Sequence, residues 1–270
     1  MRLTIEIRFK SKSPFLIPAT YRKNIVGFIR EAFRSTDTAS EIYNKYWGEG
    51  NTHEVKPYTF FLSVPDLSYK DLDDGNYINL NENFVKLHIS SSDSNFISIL
   101  HKRFLNGNKS FNLFNYNVEV IGINLKNNKT INSSFASFKI LSPVIVRDIA
   151  VEGKSRKCMG YLSCNNPDYE DSLAYSILTL CRCFLYNKTI NRDDIEIDLS
   201  LCDSSKICHY METIPVTTGI IGIKAHEDVL ELIYNAGLGA RRSQGFGMVD
   251  LLAESNYESM AVMQELAQNY

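Results

Sequence analysis

No stretch of about 18 consecutive apolar residues occurs in this sequence, which excludes a membrane-spanning helix. Paired cysteines are missing too. Cys158, Cys164, Cys181, Cys183, Cys202 and Cys208 all lie in the second half, none in a C-x-x-C arrangement. Cys181 and Cys183 alternate within a helical pattern, so a four-ligand zinc site is not expected, and neither is any other cofactor. His53 and Glu54 do not open a metalloprotease motif, because H-E-x-x-H would need a second histidine where Pro57 stands. A secretory leader is not expected either: the opening residues MRLTIEIRFK place Arg2, Glu6, Arg8 and Lys10 among alternating apolar positions. The chain reads as a soluble, cytoplasmic protein with reduced thiols and no membrane association.

An excess of charge of one sign is the last thing lacking. The net charge of -2 excludes a uniformly basic nucleic-acid binder. Its distribution is uneven, however. Residues 1–130 hold 17 Lys and Arg against 13 Asp and Glu, whereas residues 131–270 hold 12 against 18. Inside the acidic half, the stretch from 139 to 157 reverses the sign with Lys139, Arg147, Lys154, Arg156 and Lys157 against Asp148 and Glu152. A local basic patch of this kind grips phosphates even on a neutral protein.

What is present is a 44% hydrophobic composition in 270 residues, enough for one large core or two ordinary ones. Leu3, Ile5, Ile7 and Phe9 alternate with polar residues and predict a strand over 2–9. Ile25, Phe28, Ile29 and Phe33 share a helical face over about 22–34. The polar run 35–56 reads as a loop leading into an aromatic strand at 58–64. Residues 77–90 read as one further strand, then Ser-Ser-Asp precedes a helix through Phe96, Ile99, Leu100, Phe104 and Leu105. A closing strand spans 111–125, completing the order βαββαβ. After a polar linker at 126–134 the order recurs. It comprises a strand through 135–148, a basic turn, a helix at 168–187, strands at 194–201 and 214–224, a helix at 226–236 and a strand at 246–253. The fold class is therefore α+β, with two similar domains over residues 1–128 and 129–270.

The densest feature is GLGARRSQGFG, where Gly237, Gly239, Gly245 and Gly247 enclose Arg241 and Arg242. Four of the 14 glycines fall in these eleven residues, so the clustering has a local cause. The dinucleotide motif G-x-G-x-x-G fails because Arg242 occupies the third glycine position and the order is helix before strand. The G-x-x-x-x-G-K-[ST] motif fails because no Gly-Lys pair is present. Glycines at this density allow positive φ and bring backbone amides close to a ligand, while the arginines supply charge suited to a phosphodiester.

This loop, running into MVDLL, resembles the signature loop of the CRISPR-associated RNA-processing endoribonucleases of the RAMP superfamily. FKILSPVIVRD at 138–148 is similar to the strand opening that family's second domain. THEVKPYTFF at 52–61 is similar to its His-bearing loop, and NIVGFIREAF to its first helix. The resemblance implies two tandem ferredoxin-like βαββαβ domains. It also implies metal-independent cleavage of repeat RNA in precursor CRISPR transcripts by 2′-hydroxyl attack, leaving a 2′,3′-cyclic phosphate and a 5′-hydroxyl.

On that resemblance His53 is the proton-transfer residue and Lys56 the cation facing the phosphorane. Where some members carry a catalytic tyrosine on the first helix, this chain has Arg30. The third role then falls to Arg30, to Tyr21 or Tyr43, or to no residue. RNA contacts are expected from Lys139, Arg147, Lys154, Arg156 and Lys157, and from Gly239, Arg241, Arg242, Ser243 and Gln244. The implied partners are CRISPR repeat RNA and other subunits of a CRISPR effector complex, with the chain a monomer or homodimer. Two other readings stand beside this one: a non-catalytic RNA-binding RAMP subunit, and a small-molecule enzyme that uses the glycine loop for a phosphate.

Overall fold

The computed structural model describes residues 1–10, 15–34, 37–49, 54–64, 68–72, 75–80, 82–106, 110–127, 129–152, 155–209 and 212–255. The chain divides into two compact units, Met1–Asn128 and Lys129–Tyr270.

The first unit runs β1 (Arg2–Phe9), β2 (Phe15–Pro18), α1 (Arg22–Ala32), α2 (Asp37–Trp47) and β3 (Tyr58–Ser63). It continues with β4 (Ser68–Leu72), β5 (Gly75–Leu80), β6 (Phe84–Ser91), α3 (Ser94–Asn106), β7 (Ser110–Leu113) and β8 (Tyr116–Lys126). The main antiparallel sheet has the order β3-β6-β1-β8-β7, and β2-β5-β4 form a small sheet. Without β7, the order β3-β6-β1-β8 with α1 and α3 as the crossovers is the ferredoxin-like βαββαβ arrangement. β1 sits at the centre because its alternate residues Leu3, Ile5, Ile7 and Phe9 are all buried, the first three opposite Ile89, Leu87 and Val85 of β6 and Phe9 opposite Val118 of β8. α1 adds Ile25, Phe28, Ile29 and Ala32 to this core, and α3 adds Phe96, Ile97, Leu100 and Phe104. Leu105, expected on the apolar face, is 50% exposed.

Three expectations need correction here, the first being that residues 111–125 are not one strand but the antiparallel pair β7 and β8, turned at Phe114 and Asn115, both in positive φ. Residues 35–56 are not all loop, because α2 occupies Asp37–Trp47. Its Ala39 and Tyr46 are buried, and Ile42, Tyr43 and Trp47 pack partly against the core, a 3–4 residue spacing hidden among polar neighbours. Residues 77–90 are not one strand either, since β5 joins the small sheet while β6 joins the large one. Asp93 ties these pieces together. Its Oδ1 accepts from the backbone N–H of Asn95 at 2.9 Å and of Phe96 at 3.3 Å, capping α3, and its Oδ2 accepts from the Tyr46 hydroxyl at 3.1 Å.

The second unit contains β9 (Phe135–Ile140), β10 (Val146–Glu152), β11 (Ser155–Leu162), α4 (Tyr169–Phe184) and β12 (Glu196–His209). It ends with β13 (Glu212–Lys224), α5 (Glu227–Ala236) and β14 (Val249–Ser255). The sheet order β12-β13-β9-β14, with α4 and α5 as crossovers, repeats the ferredoxin-like arrangement, and β10-β11 form a separate hairpin. The segment expected as one strand over 135–148 is thus two, separated at Leu141–Ile145. Its core joins Ala136, Phe138, Ile221 and Ile223 of the sheet to Leu173, Ile177, Val229 and Ile233 of the helices. No helix among the described residues is long and apolar enough to cross a membrane.

Replacing Asp93 with Ala removes a helix cap and strands a buried tyrosine hydroxyl. The expected loss is about 1–3 kcal/mol of unfolding free energy, measured by urea denaturation against the parent chain. A change below a few tenths of a kcal/mol would contradict the role given to Asp93.

Candidate functional site

The glycine-rich segment joins α5 to β14. Gly237 (φ 84°) ends α5, its N–H donating to the Ile233 carbonyl at 2.8 Å. The Leu238 N–H then donates to the Gly247 carbonyl at 2.8 Å, closing the loop at its base. Outside contacts fix it to the chain after β9. The Gly247 N–H donates to the Pro143 carbonyl at 2.9 Å, and the Ala240 N–H to the Ile145 carbonyl at 2.7 Å. Ser142 completes the clamp, its Oγ accepting from the Met248 N–H at 2.8 Å. Leu238 and Phe246, the apolar residues between the glycine pairs, are buried, and Phe246 packs with Ile145, Ile214 and Val216.

The glycines are therefore needed for shape. At Gly247 (φ 68°) a Cβ would stand 1.8 Å from the Leu238 carbonyl oxygen, and at Gly239 (φ 74°) 2.5 Å from that of Ile145. The expectation that the loop's amides face a ligand is corrected in part: those of Leu238, Ala240, Gln244, Gly245 and Gly247 are used by the loop or its dock. Gly239 likewise has a packing role.

Charge comes from side chains. Arg241 is a non-glycine residue in left-handed geometry (φ 55°, ψ 26°), a conformation that local bonding must hold. Its guanidinium lies 5.2 Å from the centroid of the Tyr161 ring and its Nη2 donates to the Tyr161 hydroxyl. Arg242 turns inward, its Nη1 donating to the Gly239 carbonyl at 2.5 Å. Its Nε is buried with no hydrogen-bond partner. Burial pushes the Arg242 guanidinium down to about 10, Cys183 draws it up and Arg147 pushes it further down. It stays charged at neutral pH and is crowded by a second cation. Arg147 is exposed on β10 and paired in register with Tyr161 of β11, so Arg147, Arg241 and Arg242 converge around Tyr161 and the loop.

The remaining expected contacts are dispersed. Gln244 Oε1 lies 3.0 Å from His209 Nε2, and His209 meets Phe246 edge-on at 5.0 Å. Ser243 lies in the short 3-10 turn Arg242–Gln244. Lys139 is exposed on β9, opposite Asp250 of β14. Arg156 and Lys157 pair through their backbones with Val151 and Ala150 on the β10-β11 hairpin. Lys154 lies outside the described residues.

In the first unit, Arg30 of α1 meets Tyr43 of α2. Its Nε and Nη2 donate to the tyrosine hydroxyl at 3.1 and 2.8 Å, and Arg34 Nε donates to the same oxygen at 3.4 Å. The bonds from Arg34 and then Arg30 hold the Tyr43 hydroxyl below its usual range. Arg34 also pairs with Glu31 at 3.2 Å. Lys56 is half-buried, and burial lowers its ammonium from the usual lysine value. Glu54 works against that shift and Arg30 adds to it. Arg30 and Lys56 thus share one electrostatic neighbourhood. Tyr21 sits elsewhere, beneath the Arg22 guanidinium at 5.0 Å. His53 lies outside the described residues. Arg34 and Tyr161 carry no motif in the sequence, and only the partners given by the fold single them out. Among the described residues no group of three or more His, Cys, Asp and Glu is placed to hold a metal ion.

Residues 125–251 match the family model described as CRISPR associated protein Cas6, C-terminal. No curated protein matches the sequence. Among solved structures, one from Pyrococcus furiosus, described as characterising a Cas6-related gene, superposes with TM-score 0.76 at 19% identity, covering 94% of this chain and 99% of that one. A second, described as an RAMP protein binding different RNA substrates, gives 0.73 at 21% identity, covering 94% and 100%. A third, a Cas6 product complex, gives 0.61 at 14% identity, covering 93% and 99%. At these identities the likeness shows the fold.

Gly247→Ala should destabilise the chain by about 2–4 kcal/mol, through left-handed strain together with overpacking. Gly27→Ala, at a mid-helix position where a Cβ meets nothing within 4 Å, should stabilise it by about 0.5–1 kcal/mol. Thermal unfolding of both variants reads the contrast, and equal shifts would sink this account of the loop.

Proposed function

We propose that this chain, whose residues 125–251 match the Cas6 C-terminal family model and whose fold is that of Cas6-related and RAMP proteins, is a metal-independent endoribonuclease acting on CRISPR repeat RNA. The observation that carries the reading is a half-buried Lys56 whose ammonium is lowered by burial and, to a lesser degree, by the positive charge of Arg30, with His53 three residues before Lys56 in the chain. In-line attack by a 2′-hydroxyl needs a base, an acid for the leaving 5′-oxygen and compensation for a crowded phosphorane. An imidazole can take up or give up a proton near neutral pH, so His53 is the residue that removes the 2′-hydroxyl proton or protonates the leaving 5′-oxygen. Lys56 donates to the phosphorane, and its lowered ammonium pKa makes it the better donor. Arg30, held by Tyr43, presents a planar fork suited to phosphate oxygens. The rest of the RNA is gripped through its backbone by Arg147, Arg241 and Arg242, with Lys139, Lys154, Arg156, Lys157, Ser243 and Gln244 extending that surface. Support for the grip comes from Arg242, whose partly buried guanidinium leaves its Nε unpartnered and is opposed by the charge of Arg147, so that it gains from a phosphate nearby.

Full-length protein incubated with labelled repeat RNA in EDTA should cut once, leaving a 2′,3′-cyclic phosphate. His53→Ala should abolish cutting while binding survives, and Lys56→Ala should slow it by about 10²–10³-fold. Metal-dependent cutting, or cutting that survives His53→Ala, overturns this mechanism. Tight binding without any cutting by the parent chain would instead identify a non-catalytic RNA-binding subunit.

Arg241→Ala combined with Arg242→Ala should weaken RNA affinity about tenfold or more and reduce the salt slope by about 1–2. Unchanged affinity would remove the loop from the interface.

A further inference from the structure

A cleft of about 600 Å³ opens beside α1 of the first unit, a size within the range of about 300–1,000 Å³ that small-molecule sites occupy. Lys23, Asn24, Gly27, Phe28 and Glu31 line it from α1, and Phe111 and Asn112 from the edge strand β7. No step of the proposed cleavage uses it. Its apolar wall is an aromatic cluster. Phe28 and Phe111 meet edge-on at 5.3 Å, and Phe104 stands behind both at 5.2 and 5.5 Å. Arg103 of α3 covers the Phe111 ring at 5.5 Å, with its Nε buried and unpartnered.

Three features of α1 are unexplained by folding alone. Gly27 occupies the middle of a helix, where glycine is unfavourable, and a Cβ there would meet nothing. Packing does not demand the glycine, but its absence of side chain leaves helix backbone open to close approach from the cleft. Asn24, one turn earlier on the same face, buries an Oδ1 that accepts no hydrogen bond. Turning that oxygen towards a ligand donor breaks no existing bond of the oxygen. The cleft is also polar along its length. The exposed Lys23 lies in the first turn of α1, where the helix dipole favours an anion. The Glu31 carboxylate lies two turns on, about 12 Å along the axis, and is paired with Arg34.

An aromatic wall, amide groups, an orphan acceptor, a cationic end and an acidic end fit a ligand that is flat and carries N–H donors at one end and is anionic at the other. We infer that this cleft is a nucleotide-binding subsite, with the base against Phe28 and Phe111, its amino group towards Asn24, and the phosphate at Lys23. The nucleotide is either one residue of the bound RNA or a free mononucleotide. The inference rests on the RNA-processing reading only for the first of these sources. Bases with an exocyclic amine should be preferred to uracil, which lacks one.

The test uses the full chain and two variants, Gly27→Leu and Asn24→Leu. Gly27→Leu fills the cleft at an exposed helix position and improves helix propensity, so its circular dichroism and Tm should match or exceed the parent. Calorimetric titration with AMP, CMP, GMP and UMP reads the free source. Ultraviolet cross-linking of labelled repeat RNA, with the linked peptides identified by mass spectrometry, reads the RNA source. If a free nucleotide is the ligand, AMP, CMP or GMP binds the parent, and each variant weakens it at least tenfold. If RNA is the source, cross-links fall on peptides spanning 23–28 or 110–113 and are lost in both variants. Neither binding nor such cross-links in the parent overturns the inference, as does retention of both in Gly27→Leu. RNA cleavage by Gly27→Leu keeps the two readings apart. Cutting that persists while the subsite fails leaves the nuclease standing, and mononucleotide binding by a chain that never cuts leaves the subsite standing.

Discussion

The hydrogen bond from the Leu238 N–H to the Gly247 carbonyl closes a loop whose two ends could not meet with any side chain at position 247. Everything presented by the loop depends on that closure. It drives Phe246 into the core beside Ile145 and Val216, which fixes the loop's depth. It leaves Arg241 in a left-handed conformation that a non-glycine residue adopts only when held, here by Tyr161. The Leu-Ser-Pro segment at 141–143 takes part from outside, through Pro143, Ser142 and the chain after β9. The recurrence of LSP and GLGARRSQGFG in one sequence thus has a physical cause: each segment satisfies the other's backbone.

In the first unit the corresponding work is done by polar side chains. Asp93 caps α3 and holds Tyr46, so α2 is anchored where the chain leaves β6. That anchorage sets Tyr43 against Arg30 and Arg34, and a hydroxyl receiving three N–H groups from two guanidiniums restrains both. The acidic partner Glu31 reaches only Arg34. Arg30 and Lys56 are left in mutual repulsion, which an anion relieves.

The ferredoxin-like order was legible in each unit because its strands alternate cleanly and its helices carry apolar faces of ordinary width. Leu3, Ile5, Ile7 and Phe9 needed nothing but period two. What escaped were elements whose stability is tertiary. α2 is polar through most of its length and is held by Tyr46 and Asp93, which are 47 residues apart. The break between β5 and β6 was hidden because both are good strands and only their sheet membership differs. For the candidate site, the crowding of glycine and arginine was visible, but not which arginine turns inward. Arg241 and Arg242 are identical neighbours in sequence, and only Tyr161, 80 residues before Arg241, separates their fates. Arg34 was invisible for the same reason, since its significance is a shared hydroxyl.

The two units repeat one topology yet arrange their cations by different means. In the second, backbone closure holds Arg242 partly buried with its Nε unpaired, so the charge is costly without an anion. In the first, Arg30 and Arg34 lie over a tyrosine ring at 5.3 and 5.8 Å and both donate to its hydroxyl, so their geometry is held by that oxygen and their charge is compensated in part by the ring. A buried, under-compensated guanidinium favours tight retention of a phosphate. One that is oriented and compensated by a shared hydroxyl favours a group that is engaged only as charge develops and then released. On the proposed reading, a unit that holds RNA and a unit that cuts it share one scaffold and differ in how their guanidiniums are compensated, Arg242 with an unpaired Nε and Arg30 and Arg34 around the Tyr43 hydroxyl.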